Sequence, residues 1–331
     1  MVDELPRDAG VWVAQRLGAE PVAAPVRVPT DPWSRVWRIA TAGGDFWMKE
    51  CGPGHAGEGR VHAAIAAVAP AHVDAPIAVD VRHRWILMRD GGPTLLASEP
   101  GTRGIEVDTL TRLLTGYADL QLLALDHRGA LVEAGVPVFD PRDAAGVAES
   151  QSDYLAALPV EDPRHLPEEH RRRVLAALPD LVTAGAALAG GPVPCTFDQG
   201  DLWPNNVFRP GPDGHFRIFD FADAVWTHPF VSLVMLVWEC IFRWEVPQPD
   251  DAVDLREERI RAVFDAYLCR WTDFAPLPRL RELAGHALRI APLLRTRAWI
   301  RNLDSISAEA RSPFGNKPWA YLEDVTKPVR L

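Results

Sequence analysis

Three oxygen-bearing side chains between positions 201 and 220 mark the part of this chain best equipped for chemistry. Asp201 and Asn206 lie in the run FDQGDLWPNNVFR (197–209), and Asp220 lies in HFRIFDFAD (215–223). The segment PGPDG (210–214) between them is a turn by mechanism, since its prolines fix φ and its glycines tolerate positive φ. Val207-Phe208 and residues 216–219 then become the arms of a β-hairpin. Folding it about residue 213 sets Asn206 nearly opposite Asp220, and directly opposed residues stand roughly 4.5–5.5 Å apart. An amide oxygen and a carboxylate meeting at one point match what Mg²⁺ takes in phosphoryl transfer: one or two protein oxygens, with water and phosphate supplying the rest. Asp201, on the loop that enters the hairpin and is stiffened by Pro204, can hold a substrate hydroxyl beside such a metal. Taken singly, each residue has an ordinary reading as a turn cap, a strand end or a solvated edge. The three at this spacing favour the chemical reading.

A fourth residue is singled out by composition. Of 35 basic side chains only Lys49, Lys317 and Lys327 are lysines, so the chain uses arginine wherever positive charge alone suffices. Lys49 interrupts the apolar run FWMKE (46–50), and a lysine that survives this bias inside a strand calls for a specific ammonium contact.

The elements that must position these residues follow from periodicity. A chain of 331 residues suggests two domains or lobes, and 47% hydrophobic with 24% charged residues is ordinary globular composition. A short helix is expected over 11–18. A hairpin is expected from 35–40 and 46–50 around Gly43-Gly44-Asp45, a helix over 58–68 ending before Pro70, and a strand over 85–88 stopped by Gly91-Gly92-Pro93. Beyond that break, Asp108 can cap a helix whose Leu110, Leu113, Leu114, Tyr117, Leu120 and Ala124 share one face. Further helices are expected over 167–178, 179–188, 231–244, 255–271 and 280–303, the last kinked at Pro292. The fold class is therefore α+β, with a small β-rich N-terminal lobe (1–89) and a larger, mostly helical C-terminal lobe (90–331).

Net charge −10 speaks against a nucleic-acid binder. The start MVDELP lacks the basic-then-apolar layout of a secretory signal, and the longest apolar stretch, 230–242, is broken by Glu239 and too short to span a bilayer. A cytoplasmic protein without membrane partners is expected. Four scattered cysteines with no CxxC pair are read as free thiols rather than a zinc site. Oligomeric state is not readable.

The run QGDLWPNNVF followed by IFDFADAVWTHPF and an apolar helix resembles the HGDLHxxN…DWxDA pattern of the aminoglycoside phosphotransferase family. These are small-molecule kinases with a protein-kinase-like fold. FWMKE, EGRVHAAIAAVAP, RWILMRDGGPTL and LTGYADLQLLAL follow in the family's order, so the likeness extends along the chain. It implies an ATP- and Mg²⁺-dependent kinase acting on a hydroxyl of a small molecule. Asp201 would be the catalytic aspartate, Asn206 and Asp220 the magnesium ligands, and Lys49 the lysine on the α- and β-phosphates. Met88, Arg89 and Asp90 would form the hinge beside adenine. Such chemistry asks the protein mainly to position groups and neutralise charge. A kinase of another metabolite (an amino sugar, a choline-like amine, a pentose) and a catalytically silent kinase-like binding protein are the alternatives, the latter disfavoured because Lys49, Asp201, Asn206 and Asp220 are all present.

Side chains alternate along a strand, so Glu50 points away from the face Lys49 uses, and Glu58, opening the next helix, is the expected partner. The chain departs from the family pattern twice. Gln199 stands where the family has histidine, able to bond loop backbone but not to carry charge. The phosphate-covering segment PTDPWSRVW (29–37) contains no glycine, and Ser34 is the candidate for that work. Asp223 is read either as an addition to the metal or acceptor site or as a helix cap. The tryptophans are read as core or lobe-interface residues, and the Arg171-Arg172-Arg173 run as a solvated helix face. For the acceptor, the acidic residues Asp250, Asp251, Asp254, Glu257 and Glu258 favour a cationic hydroxyl compound, while Arg289, Arg295, Arg297 and Arg301 offer a basic wall instead.

Overall fold

The structure, a computed structural model, describes residues 4–98 and 105–331. Strand alternation builds the first lobe. β1 (Val26–Val28), β2 (Ser34–Thr41), β3 (Gly44–Cys51), β4 (Ala78–Asp80) and β5 (Trp85–Arg89) form one antiparallel sheet in the order β1-β2-β3-β5-β4. β2 and β3 pair with Val36 opposite Lys49 and Thr41 opposite Gly44. Phe46 and Met48 of β3 join Trp37, Ile39 and Leu87 in a small core, closed by Trp12 and Val13 of α1 (Arg7–Leu17). This helix starts four residues earlier than its expected position and ends at Gly18, in the left-handed region. The odd positions of β3, Trp47, Lys49 and Cys51, take the opposite face, toward the cleft and α2 (Glu58–Val68).

The second lobe is helical: α3 (Leu95–Ser98), α4 (Val107–Ala124), α5 (Arg128–Ala134), α6 (Ala144–Ala156), α7 (Glu168–Ala176) and α8 (Leu178–Ala189) lead to the segment that carries Asp201 and Asp220. After it come α9 (Leu233–Arg243), α10 (Glu258–Leu268), α11 (Leu277–Asp304), α12 (Ala308–Arg311) and α13 (Lys317–Asp324). The stripe expected on α4, from Leu110 to Ala124, is buried in the main core, which also takes Val61 and Ile65 of α2. Asp108 does not cap α4. Glu106 occupies the cap position, and Asp108 sits in the first turn, where an anion suits the helix dipole. The helix expected from 231 begins at Leu233, and residues 231–232 instead belong to a 3₁₀ turn over Pro229–Ser232. α11 carries Pro292 in its interior and buries side chains from Leu280 to Leu303. Among the described residues no helix is long and apolar enough to cross a membrane.

Between α8 and α9, β6 (Thr196–Asp198) pairs with β9 (Val225–Thr227), and β7 (Val207–Phe208) with β8 (Arg217–Ile218). The inner hairpin is one residue off the expected register. Its turn is centred on 213, with the Gly211 N–H on His215 O at 3.2 Å, but the ladder pairs Val207 with Ile218. Phe208 also bridges to Thr94, and the Arg209 N–H donates to Pro93 O at 3.2 Å, so neighbouring chain fixes this strand's position. Asn206 therefore lies opposite Phe219, whose N–H donates to Asn206 O at 3.1 Å, and Asp220 leaves the ladder at φ 60°.

Two buried histidines give the fold a pH dependence. His228 is wholly buried against Phe230, its Nε2 without a partner, and burial lowers its pKa to about 3. His62, its Nε2 on Asp74 O at 2.8 Å, is lowered to about 4, again by burial first. Both are neutral in the fold and take up protons on unfolding below about 6.5. Their contribution is complete above pH 6.5 and is lost as pH falls toward 4, at up to about 1.4 kcal/mol per pH unit for each. Urea midpoints should fall between pH 7 and 5, and His228→Gln should flatten that slope; a flat wild-type profile would refute the account.

Candidate active site

Between the lobes lies a cavity of about 650 Å³ whose lining includes Ser34, Lys49, Glu58, Met88, Asp90, Asn206 and Asp220. Every cleft residue named from the sequence thus borders one space, and Asp201 touches it through Asn206, whose Nδ2 donates to Asp201 O at 2.9 Å and reaches Asp201 Oδ2 at 3.3 Å.

β3 places Lys49 at the cavity's inner end. Its Nζ bonds Glu58 Oε1 at 2.7 Å and stands 3.2 Å from Asp220 Oδ2. Burial alone would lower this ammonium's pKa, but Asp220 and Glu58 outweigh it and hold the lysine charged. In turn Lys49 offsets burial at Asp220 and keeps its carboxyl below the ordinary value. Glu50 takes the other face, with Arg35 at 2.7 Å, as strand alternation requires. The second Glu58 oxygen accepts from the Cys51 thiol at 3.2 Å, which sequence reading left as a plain buried cysteine. At the hinge, Asp90 Oδ1 accepts from Trp47 Nε1 and the Gly92 N–H, each at 3.0 Å, so this side chain braces the chain crossing.

The glycine-free segment after β1 also borders the cavity. Ser34 N–H donates to Asp31 O at 3.2 Å and Thr30 Oγ1 donates to Ser34 O at 3.0 Å, which makes a tight loop. The needed glycine lies beneath it: a Cβ on Gly52 would come within 2.3 Å of Trp33 O. Trp33 then meets Trp299 and Phe314 of the other lobe, both at 5.5 Å between ring centroids, a lobe-interface use of tryptophan.

A buried network shapes the loop that carries Asp201. Asp198, behind Gln199, accepts from Tyr117 Oη at 3.0 Å, Ser232 Oγ at 2.7 Å and the Gly200 N–H at 3.0 Å. Gln199 donates from Nε2 to the carbonyls of Phe219 and Asp220 and accepts the Asp201 N–H at 2.9 Å. One neutral amide thereby ties the Asp201 loop to the Asp220 loop, the backbone role still open to glutamine at this position. Gly200, at φ 85°, admits the close pass of Asp223, whose carbonyl would stand 2.2 Å from a Cβ there.

Asp223 is neither a cap nor a member of the Lys49 cluster. It pairs with Arg295 at 2.9 Å and with Arg301. Arg295, buried at 6% exposure, also donates to Gly200 O at 2.8 Å and stands 3.2 Å from Asp201 Oδ1. Burial pushes the Asp201 carboxyl up to about 6, with Arg295 opposing that rise. Sequence reading placed Arg295 among four arginines of open role; its partners lie 94 and 72 positions away, so spacing carried no signal. Arg289 belongs elsewhere, on Val325 O and Asp180. The acidic residues over 250–258 are also elsewhere: Asp254 and Glu257 pair with Arg256 and Arg259 beside the short ribbon of β10 (Val253–Asp254) and β11 (Val329–Arg330).

Among the described residues no group of three or more His, Cys, Asp or Glu could hold a metal by itself. Asn206 Oδ1 and the Asp220 carboxylate are the oxygens on offer, since Asn206 Nδ2 is committed to Asp201. That set suits a cation completed by phosphate and water.

The architecture is that of a two-lobed kinase-like fold. Solved structures sharing it over nearly the whole chain include aminoglycoside 2'-phosphotransferase-IIIa in its GDP complex, at 14% identity, 96% coverage of both chains and a TM-score of 0.63. A macrolide 2'-phosphotransferase from Brachybacterium faecium is similar at 19% identity over 95% of this chain and 97% of that one, with a TM-score of 0.58. A choline/ethanolamine kinase family protein from Mesorhizobium loti is similar at 15% identity over 97% and 98%, also with a TM-score of 0.58. No family model matches the sequence, and no curated protein matches it.

Removing Arg295 takes a buried cation from beside Asp201 and leaves Asp223 with Arg301 alone. Arg295→Gln should cost about 3 kcal/mol, the usual order for breaking a buried pair by deleting one partner. A denaturation midpoint equal to wild type would show that Arg295 does not hold this loop.

Proposed function

We propose that this protein is an ATP- and Mg²⁺-dependent kinase that phosphorylates a hydroxyl of a small molecule, working in the cytoplasm where ATP is supplied. The observation that carries this reading is Lys49 fixed between Glu58 and Asp220 across the cleft, with Asp201 on the adjoining loop. A charged ammonium at the inner end of a nucleotide-sized cavity binds phosphate oxygens, and Ser34 borders the same space. Met88 and Asp90 line the same cavity and would flank a purine. Asn206 and Asp220 would hold Mg²⁺, which when bound neutralises charge on the phosphates.

In the step itself the acceptor oxygen bonds to the γ-phosphorus as the bond from that phosphorus to the β,γ-bridging oxygen breaks, releasing ADP. The hydroxyl proton passes to the Asp201 carboxylate. Asp201 is suited to this by its position, held by Asn206 and Arg295, and by a pKa near 6, close enough to neutrality to give and take a proton. GDP in the aminoglycoside enzyme of like fold supports a nucleotide in this cleft and leaves the choice of ATP over GTP as part of the proposal.

MgATP should raise the melting temperature, because a ligand that binds only the folded state stabilises it by mass action. Asp220→Ala should remove most of the magnesium-dependent part of that rise. Asp201→Asn, nearly isosteric, should leave ATP binding in place and lower turnover by roughly 10²–10⁴, the usual worth of a positioned acid or base. Absence of any MgATP effect on melting or in calorimetry would refute the kinase reading, and wild-type turnover in Asp201→Asn would remove that residue from it.

A further inference from the structure

The second half of α11 brings Arg295 onto Asp201 and Asp223 and Arg301 onto Asp223, and carries Arg297 one helical turn before Arg301. Two of them are accounted for. Arg295 holds Gly200 O, Asp223 and Asp201, and Arg301 holds Asp223 while its side chain packs under Gly54. Arg297 is not. It is half-buried one helical turn before Arg301, on the same face, and among the described residues no carboxylate or carbonyl accepts a hydrogen bond from it. Arg295 and Arg301 thus take up Asp201 and Asp223, and Arg297, drawn to Asp223 only through space, is left without a hydrogen-bonded counter-charge. His55 nearby adds no negative charge, and the glutamate of this region, Glu58, is taken by Lys49 and Cys51.

A charge left in this state costs free energy in the empty protein, through burial and through repulsion by Arg301; both lower the Arg297 pKa from its ordinary value. Such a site is stabilised by an arriving anion, and a guanidinium matches carboxylate or phosphate oxygens with paired N–H donors. The acidic residues that would have favoured a cationic acceptor lie on the β10–β11 side and pair with their own neighbours. Close by, Trp33, Trp299 and Phe314 form a wall that bounds the region from the loop side.

We propose that the acceptor carries an oxyanion, a carboxylate or a phosphate, which Arg297 with Arg301 binds beside Asp201. This rests on the kinase reading for the word acceptor, but the anion site itself does not depend on it.

The test is calorimetric titration of the whole protein, with and without Mg²⁺ and a non-hydrolysable ATP analogue. The probes are D-glycerate and glucose 6-phosphate as the two oxyanion types, with glycerol, glucose and glucosamine as neutral and cationic counterparts. At least one of the two acids should bind, and which one tells carboxylate from phosphate. Its affinity should fall tenfold or more in Arg297→Gln and recover in part in Arg297→Lys. Arg172→Gln, an exposed arginine on α7, should bind it as wild type does. Binding of neither acid, equal or tighter binding of glucosamine or the neutral polyols, or an acid affinity unchanged in Arg297→Gln would overturn the proposal. So would a loss in Arg297→Gln confined to the nucleotide analogue, which would give this arginine to the nucleotide. Acid binding without nucleotide binding would sink the kinase reading and leave the anion site standing; nucleotide binding without acid binding would do the reverse.

Discussion

A lysine ammonium at 8% exposure cannot stay charged inside a protein without carboxylates to meet it, and much of this fold serves to supply two of them. Glu58 comes from the first turn of α2, nine residues on, and Asp220 from the other lobe at a positive φ that turns it out of its ladder. The contact is thus a bond between lobes as well as a charge pair. Geometry is tight on every side: Cys51 fills the last Glu58 acceptor, and Gln199 holds the Asp220 carbonyl. Moving α2 separates the buried Lys49–Glu58 pair, and moving the Asp220 loop removes the second, part-exposed carboxylate, which restricts the cleft to few arrangements.

Across the Asp201 loop the balance of charge changes sign. On the Lys49 side two carboxylates share one ammonium, an excess of negative charge suited to a metal cation. On the α11 side Arg295 and Arg301 pair with Asp201 and Asp223 while Arg297 stands nearby without a bonded carboxylate, an excess of positive charge. Gln199, neutral and wholly buried, stands between the two sets and joins their backbones without adding charge to either. A protonated residue at this position would attract Asp201 and Asp220 toward itself; an amide fixes the loops and leaves both carboxylates to their own partners. A neutral glutamine at 199 is therefore consistent with the geometry.

Local order was legible where a local period decides it. The β2–β3 hairpin, α2 and the choice of Glu58 over Glu50 follow from alternation along a strand and the start of the next helix, and the structure agrees within a residue or two. The hairpin register was not legible, because Pro93 and Thr94, more than a hundred positions away, hold its first strand and displace the pairing that the turn alone would set. The partners of Asp223 and Arg295 were out of reach for the same reason. Sequence spacing predicts neighbours on one helix or one strand, and these contacts join a loop to a helix 72 to 94 residues further on. Helices such as α6, with Gly, Ser and Asp among its residues, escaped because their apolar stripe is weak and their burial comes from α8 and α11.

The glycine-free segment 29–37 shows the same division between local and tertiary causes. Glycine in such a loop serves close approach of backbone to phosphate and freedom to move. Here the room is made from below, by Gly52 under Trp33, so the loop can keep side chains that a glycine-rich one lacks. Those side chains then do something a glycine cannot. Trp33 reaches the other lobe and packs on Trp299 and Phe314, tying the loop's position to the end of α11, the helix that also carries Arg295, Arg297 and Arg301. A shift of α11 on binding at its arginines would be felt by the loop through this aromatic contact, and a shift of the loop on binding phosphate would be felt by α11. Side chains where a glycine-rich loop has none thus join the two sides of the cleft through one aromatic contact.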